Sequence, residues 1–197
     1  MALKGYLTDV KVQSSAISFT AEATTTSDNT IYTITNTSKT VFDFDTDLVV
    51  LDGGTATTES YTVSKLTGTV TFESVDAGRA ITLTGAYVLL TSVAQAKSIS
   101  LALSADALDA TPFQKDFREY EAGKITGTVD LGKFAEVSTY FLDMLLDGDI
   151  KVIEYYPNSG LDAISFYAIA NNRNVDIPQD GIIDETVSFN ITNEIGV

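Results

Sequence analysis

The densest set of potential ligands in the chain is Asp43, Asp45, Asp47 and Asp52. Carboxylates at alternating positions suggest calcium, a hard cation that gathers six to eight oxygens. A helix-loop-helix calcium loop also needs Gly at its sixth position and Glu at its twelfth. Counted from Asp43, those positions hold Leu48 and Gly54, so the pattern fails. The residues read instead as a strand over 41–51 whose polar face carries carboxylates, a charge that discourages edge-to-edge association. A weak lattice-type metal contact is the alternative reading; no metal site is expected.

Other acidic groups come close together in sequence: Asp147, Asp149 and Glu154, and the pair Asp184 and Glu185. Two carboxylates can cleave a glycosidic bond. These lie in turn or strand-edge positions, however, and the chain has no Trp to stack a sugar ring. With no His and no Cys there is no Ser-His-Asp or Cys-His pair, no zinc finger and no disulfide. No Lys follows a Ser by three residues, so the Ser-Lys signature is missing. Asp52-Gly53-Gly54 lacks the Lys-Ser or Lys-Thr of a phosphate loop and reads as a turn. The expectation is no enzyme, no catalytic residues and no cofactor.

A different chemistry is written in 109–123. Phe113, Phe117 and Tyr120 are interleaved with Lys115 and Arg118, whose charge Asp116, Glu119 and Glu121 cancel. Nucleic-acid binding is disfavoured by that cancellation. Aromatic anchors inside a polar rim suit docking on a protein neighbour, and the segment is longer than a hairpin needs. Phe113, Phe117, Arg118 and Tyr120 are the candidate site residues.

The 197 residues carry a net charge of −15, with −4 in 1–100 and −11 in 101–197. Such a single-sign field repels polyanions and argues against holding DNA or anionic lipid. The start of the chain lacks the apolar core of a signal peptide. The longest mostly apolar stretch, 86–94, is about half a membrane span. A soluble chain made in the cytoplasm is expected, with no membrane partner.

The elements that must position these groups follow a period of two. Tyr61 and Val63, Val70 and Phe72, Ile81 and Leu83, Ile99 with Leu101 and Leu103, and Val187 with Phe189 and Ile191 alternate with polar residues. Each run predicts a half-buried strand, and abundant Thr favours the pleated surface. Further strands are expected over 17–22, 30–35, 41–51, 124–131, 149–156 and 161–170. One segment breaks the period: apolar residues at 134, 137, 141, 144 and 145 predict an amphipathic helix over about 134–147, stopped by Gly148. Small and polar residues at 91–97 suggest a soft boundary, giving a β-rich half over 1–92 and a second β unit with the helix over 93–197. Lys65 to Thr71 echoes Lys124 to Asp130, as related strand units or as shared strand grammar. The fold class expected is all-β with one flanking helix, a sandwich or barrel.

From Ile99 onward the order of these elements resembles the tail tube (major tail) proteins of long-tailed bacteriophages. The likeness is carried by the strand Leu101 to Ala107 followed by Leu108-Asp109-Ala110-Thr111-Pro112-Phe113, and by Phe117 to Gly123 with the strand Lys124 to Leu131. It continues through the helix, the strands over 150–156 and 166–170, and the closing Thr186-Val187-Ser188-Phe189. It covers about half the chain. Asn190 stands where the family often has Gly, and 1–92 matches less distinctly, as part of the tube core or as an added module. The resemblance implies a structural virion protein that forms stacked hexameric rings through which genomic DNA passes as unspecific cargo. It also implies tape-measure, terminator and baseplate partners, and a 109–123 loop reaching the neighbouring ring. The alternatives are a capsid decoration or baseplate β-protein, or a carbohydrate-binding sandwich.

Overall fold

The computed structural model describes residues 9–74, 78–93, 96–109, 120–134, 139–156, 163–179 and 183–196. It is all-β with a single α-helix among the described residues, as the period-two pattern predicts. The strands are β1 Val10–Thr26, β2 Ile31–Ile34, β3 Val49–Asp52, β4 Thr55–Ala56, β5 Tyr61–Ser64, β6 Thr69–Phe72 and β7 Ile81–Ser92. They continue as β8 Ala96–Asp109, β9 Tyr120–Phe134, β10 Ile150–Tyr155, β11 Ile164–Asp176 and β12 Asp184–Gly196, with α1 at Tyr140–Asp147. Two compact units emerge. One takes Met1–Ala94, Ile150–Tyr167 and Asn193–Val197; the other takes Gln95–Asp149 and Ala168–Thr192.

The first unit has two layers. Its larger sheet runs in the order β4-β3-β7-β1-β10-β11, while β5, β6 and β2 form a smaller sheet with the end of β1. β1 serves both because it is 17 residues long, pairing with β7 over most of its length and with β2 through Thr24–Thr26. A bulge between Phe19 and Glu22, where Ala21 takes a φ of 51°, bends it from one sheet toward the other. Tyr32, Ile34, Val70 and Phe72 of the small sheet pack against Phe19, Val50, Ile81 and Leu83 of the large one. Tyr32 and Phe72 meet edge to face, with ring centroids 5.7 Å apart.

One expectation changes here, and one of two open readings falls away. The 41–51 run is not one strand: after a 3₁₀ turn at Thr37–Lys39, Phe42 makes an isolated bridge with Tyr87 of β7, irregular backbone follows, and a continuous strand begins only at Val49–Asp52. The backbone there is held by other bonds: the Asp43 carboxylate accepts from Gln13 and Thr46, and the Lys65 ammonium takes the Asp43, Phe44 and Thr46 carbonyls. The echo between 65–71 and 124–130 is not a repeated unit. Lys65 to Gly68 make the tight turn between β5 and β6, with Gly68 at a φ of 66°, whereas Lys124 to Asp130 are extended inside β9.

In the second unit the end of β11 is followed by β12, β9 and β8. Val129 and Leu131 of β9 and Val187 and Phe189 of β12 are buried, as are Phe141 and Met144 of α1. The helix is shorter than expected, eight residues beginning at Tyr140. Phe134 ends β9 instead, held opposite Asp184. Residues 135–138, including Val137, lie outside the described residues. The C-terminal stop is as read: Gly148 is left-handed at a φ of 70°, and its N–H reaches the Met144 carbonyl at 3.2 Å.

Candidate functional site

β8 is the surface that departs most from a self-contained sheet. It is 14 residues long and ends the strand order, so one backbone edge has no strand partner among the described residues. Its other edge pairs with β9 from Ala96 opposite Lys133 to Asp109 opposite Tyr120. β12 accompanies β9 only from Phe134 to Thr128. Past that point β8 and β9 continue as a two-stranded ribbon, exposed on both faces over 102–107. The apolar alternation runs on into the ribbon, so Leu103 is 52% exposed and Ile125 72%. A two-stranded ribbon is marginal alone, and a long open edge with apolar side chains is a template for another strand.

Gly127 explains how the ribbon joins the core. A side chain there would collide with Ile191 Cδ1 at 2.7 Å and Leu103 Cδ2 at 2.9 Å, so glycine lets both pass over the strand. Of the four candidate docking residues, Tyr120 opens β9 opposite Asp109. Phe113, Phe117 and Arg118 lie outside the described residues, in the 110–119 segment that joins the ribbon's two strands.

The acidic cluster does not converge. Asp43 is buried, with Oδ1 accepting from Gln13 Nε2 at 2.9 Å and Oδ2 from the Thr46 hydroxyl at 2.8 Å. Gln13 Oε1 in turn accepts the Val152 N–H at 3.1 Å. Asp45 and Asp47 are exposed, and Asp52 accepts the Ala80 N–H at 3.2 Å. No group of three or more acidic side chains among the described residues is arranged to hold a metal ion. The open groove lined by Thr25, Thr26, Ser27, Asp28, Ile31 and Thr33 offers little chemistry. Its carboxylate, Asp28, is held below the usual range by the Ile31 and Thr30 N–H groups that it binds within the turn.

Several other carboxylates have basic partners. Glu154 takes Lys11 at 3.1 Å and Asp184 takes Lys97 at 2.5 Å. Bonding to the Tyr156 hydroxyl is the main cause that holds the Lys11 ammonium above its ordinary range. Glu185 was missed as a core residue by sequence reading, and so was Lys133; each is 2% exposed. They stand directly opposite on β12 and β9, with Lys133 Nζ 3.6 Å from Glu185 Oε2. Arg173 Nε donates to Glu185 Oε1 at 2.5 Å, and the Lys133 ammonium lies 5.2 Å from the Phe141 ring centroid. The signal was present. Val129, Leu131 and Lys133 share one parity, as do Glu185, Val187 and Phe189, so both charges fall on the buried face.

Tyr140, next to Phe141 in sequence and in ring contact with it, yields a pH prediction. Burial pushes its phenol from 10.0 up to about 12, and the Asp149 carboxylate adds to the rise. The folded state therefore holds this proton more tightly than the unfolded chain. The resulting stability is complete below pH 10 and is lost as pH rises through about 12. Tyr140→Phe has no proton to lose. Melting followed by circular dichroism should fall less steeply for the variant than for wild type across that window; parallel curves would contradict the assignment.

The described residues thus define an all-β protein with an open sheet edge and with its buried Asp43, Lys133 and Glu185 held in hydrogen bonds or ion pairs. No helix among them is long and apolar enough to cross a membrane. No protein-family model matches the sequence, and no curated protein matches it. Among solved structures, it is similar to a chain from the tail of an empty gene transfer agent particle with C6 symmetry. The TM-score is 0.48 at 11% identity, covering 54% of this chain and 84% of that one. It is similar also to a chain from the virion of a native gene transfer agent particle, with a TM-score of 0.48 and 10% identity over 54% of this chain and 86% of that one.

Proposed function

We propose that this chain is a structural virion protein that polymerises as stacked hexameric rings into a bacteriophage tail tube. The observation that carries the reading is β8, a 14-residue edge strand whose apolar alternation continues into solvent. A monomer that kept this edge open would risk uncontrolled pairing; a closed ring satisfies it with a neighbouring copy. The order of elements from Ile99 onward supports the same reading. The charge of −15 suits a conduit, because an acidic protein repels the phosphates of DNA that must slide through. In this role the chain is not an enzyme, takes no cofactor, and meets tape-measure, terminator and baseplate proteins at the tube's ends.

Electron microscopy of the purified protein tests it, with tubes of uniform width expected. Leu103→Lys places a charge on an exposed strand position and should leave the far-ultraviolet circular dichroism unchanged while abolishing tubes. The Phe113→Ser, Phe117→Ser double variant addresses stacking: it should fold but no longer elongate. Trimers or monomers from wild type would move the assignment to a capsid decoration or baseplate role. Normal tubes from the Phe double variant would remove Phe113 and Phe117 from the stacking contact.

A further inference from the structure

The loop that follows the 3₁₀ turn is built around a positive charge. Lys65, in the turn between β5 and β6, sends its ammonium to three backbone carbonyls: Asp43 at 3.2 Å, Phe44 at 2.7 Å and Thr46 at 2.9 Å. Three carbonyl oxygens turned toward one point are what a bound cation requires of a backbone, and an ammonium has three N–H donors to meet them. The loop is held from other directions as well. Phe42 N–H donates to the Lys65 carbonyl at 2.7 Å, and the Tyr167 hydroxyl donates to the Phe42 carbonyl at 2.7 Å.

We infer that the carbonyls of Asp43, Phe44 and Thr46 form a cation site whose resident occupant is the Lys65 ammonium, and that emptying it leaves a site for a small monovalent cation. The covalently tethered cation takes the place of a free one at a loop whose exposed Asp45 and Asp47 add negative potential. Converging carbonyls left without any cation lose their hydrogen bonds and face one another's partial charges, so the loop should loosen when Lys65 loses its charge. A compact monovalent ion fits the vacancy better than a divalent one, because the described contacts are neutral carbonyls with both Asp43 carboxylate oxygens already engaged.

The test uses Lys65→Met in the full-length chain, which keeps most of the side-chain stem and removes the charge. In buffer whose only added salt is tetramethylammonium chloride, too bulky to enter, the variant should melt about 5 °C or more below wild type. Replacing that salt with potassium or ammonium chloride at equal ionic strength should restore a substantial part of the loss, with wild type unmoved by the exchange. Recovery that is equal in tetramethylammonium would show simple screening and overturn the inference, as would a variant that melts with wild type. Should the variant not fold, wild type still decides: the Lys65 ¹⁵Nζ resonance should show slow ammonium proton exchange. Exchange as fast as that of exposed Lys124 would overturn the inference.

Discussion

Glu185→Ala is expected to destabilise the unit that contains it by about 3–5 kcal/mol, the usual cost of leaving a buried charge without its partner. Glu185 is 2% exposed, and its carboxylate lies between Lys133 Nζ, at 3.6 Å, and Arg173 Nε, at 2.5 Å. The two cations differ in their freedom to respond. The Arg173 side chain retains 19% exposure and can turn toward water, whereas the Lys133 side chain retains 2%. Lys133 is therefore the cation with less room to respond when the Glu185 carboxylate is removed. Denaturant titration of the variant measures the loss. A Lys133→Met, Glu185→Met double variant should recover most of it, because an apolar pair of similar volume escapes the desolvation of two ions. A double variant as unstable as the single one would show that shape, and not charge, governs the position.

The period-two alternation made most strands legible, since Val70 with Phe72 and Ile81 with Leu83 are buried where it places them. Its limits are physical. In 41–51 the alternation of Asp43, Asp45 and Asp47 looks like a strand face, yet Asp43 turns inward to Gln13, which lies 30 residues away in sequence. Nothing within a local window announces that partner. The helix start was misplaced because Phe134 fits the helical stripe as well as it fits the end of β9; pairing with Asp184 decides the matter. Lys133 and Glu185 were legible as inward positions, but their being opposite depends on a register between segments about 50 residues apart. The division of β11 and β12 between two units is equally non-local. The open edge of β8 could be read only once every other strand had been assigned its neighbours.

Phe141→Ala should be the most damaging apolar truncation in the second unit, costing about 3–5 kcal/mol. The ring is buried, edge-on to Phe189 with centroids 5.9 Å apart and against Tyr140 at 5.1 Å. Met144 is the other buried residue of the eight-residue helix, so loss of Phe141 removes one of its two buried contacts with the sheet. A helix this short has little stability of its own and depends on that packing. The melting temperature of the unassembled subunit should therefore fall. A variant that melted normally yet failed to assemble would place Phe141 in an interface between copies. The ring also faces the Lys133 ammonium, with 5.2 Å from nitrogen to centroid. Removing it takes away both cover and a cation–π contact from the same cation that Glu185 neutralises. The two losses should consequently not add. In a double-mutant cycle of Phe141→Ala with Glu185→Ala, an interaction energy of about 0.5–3 kcal/mol is expected for groups sharing one partner. Strict additivity would mean that the helix and the buried ion pair stabilise the unit independently.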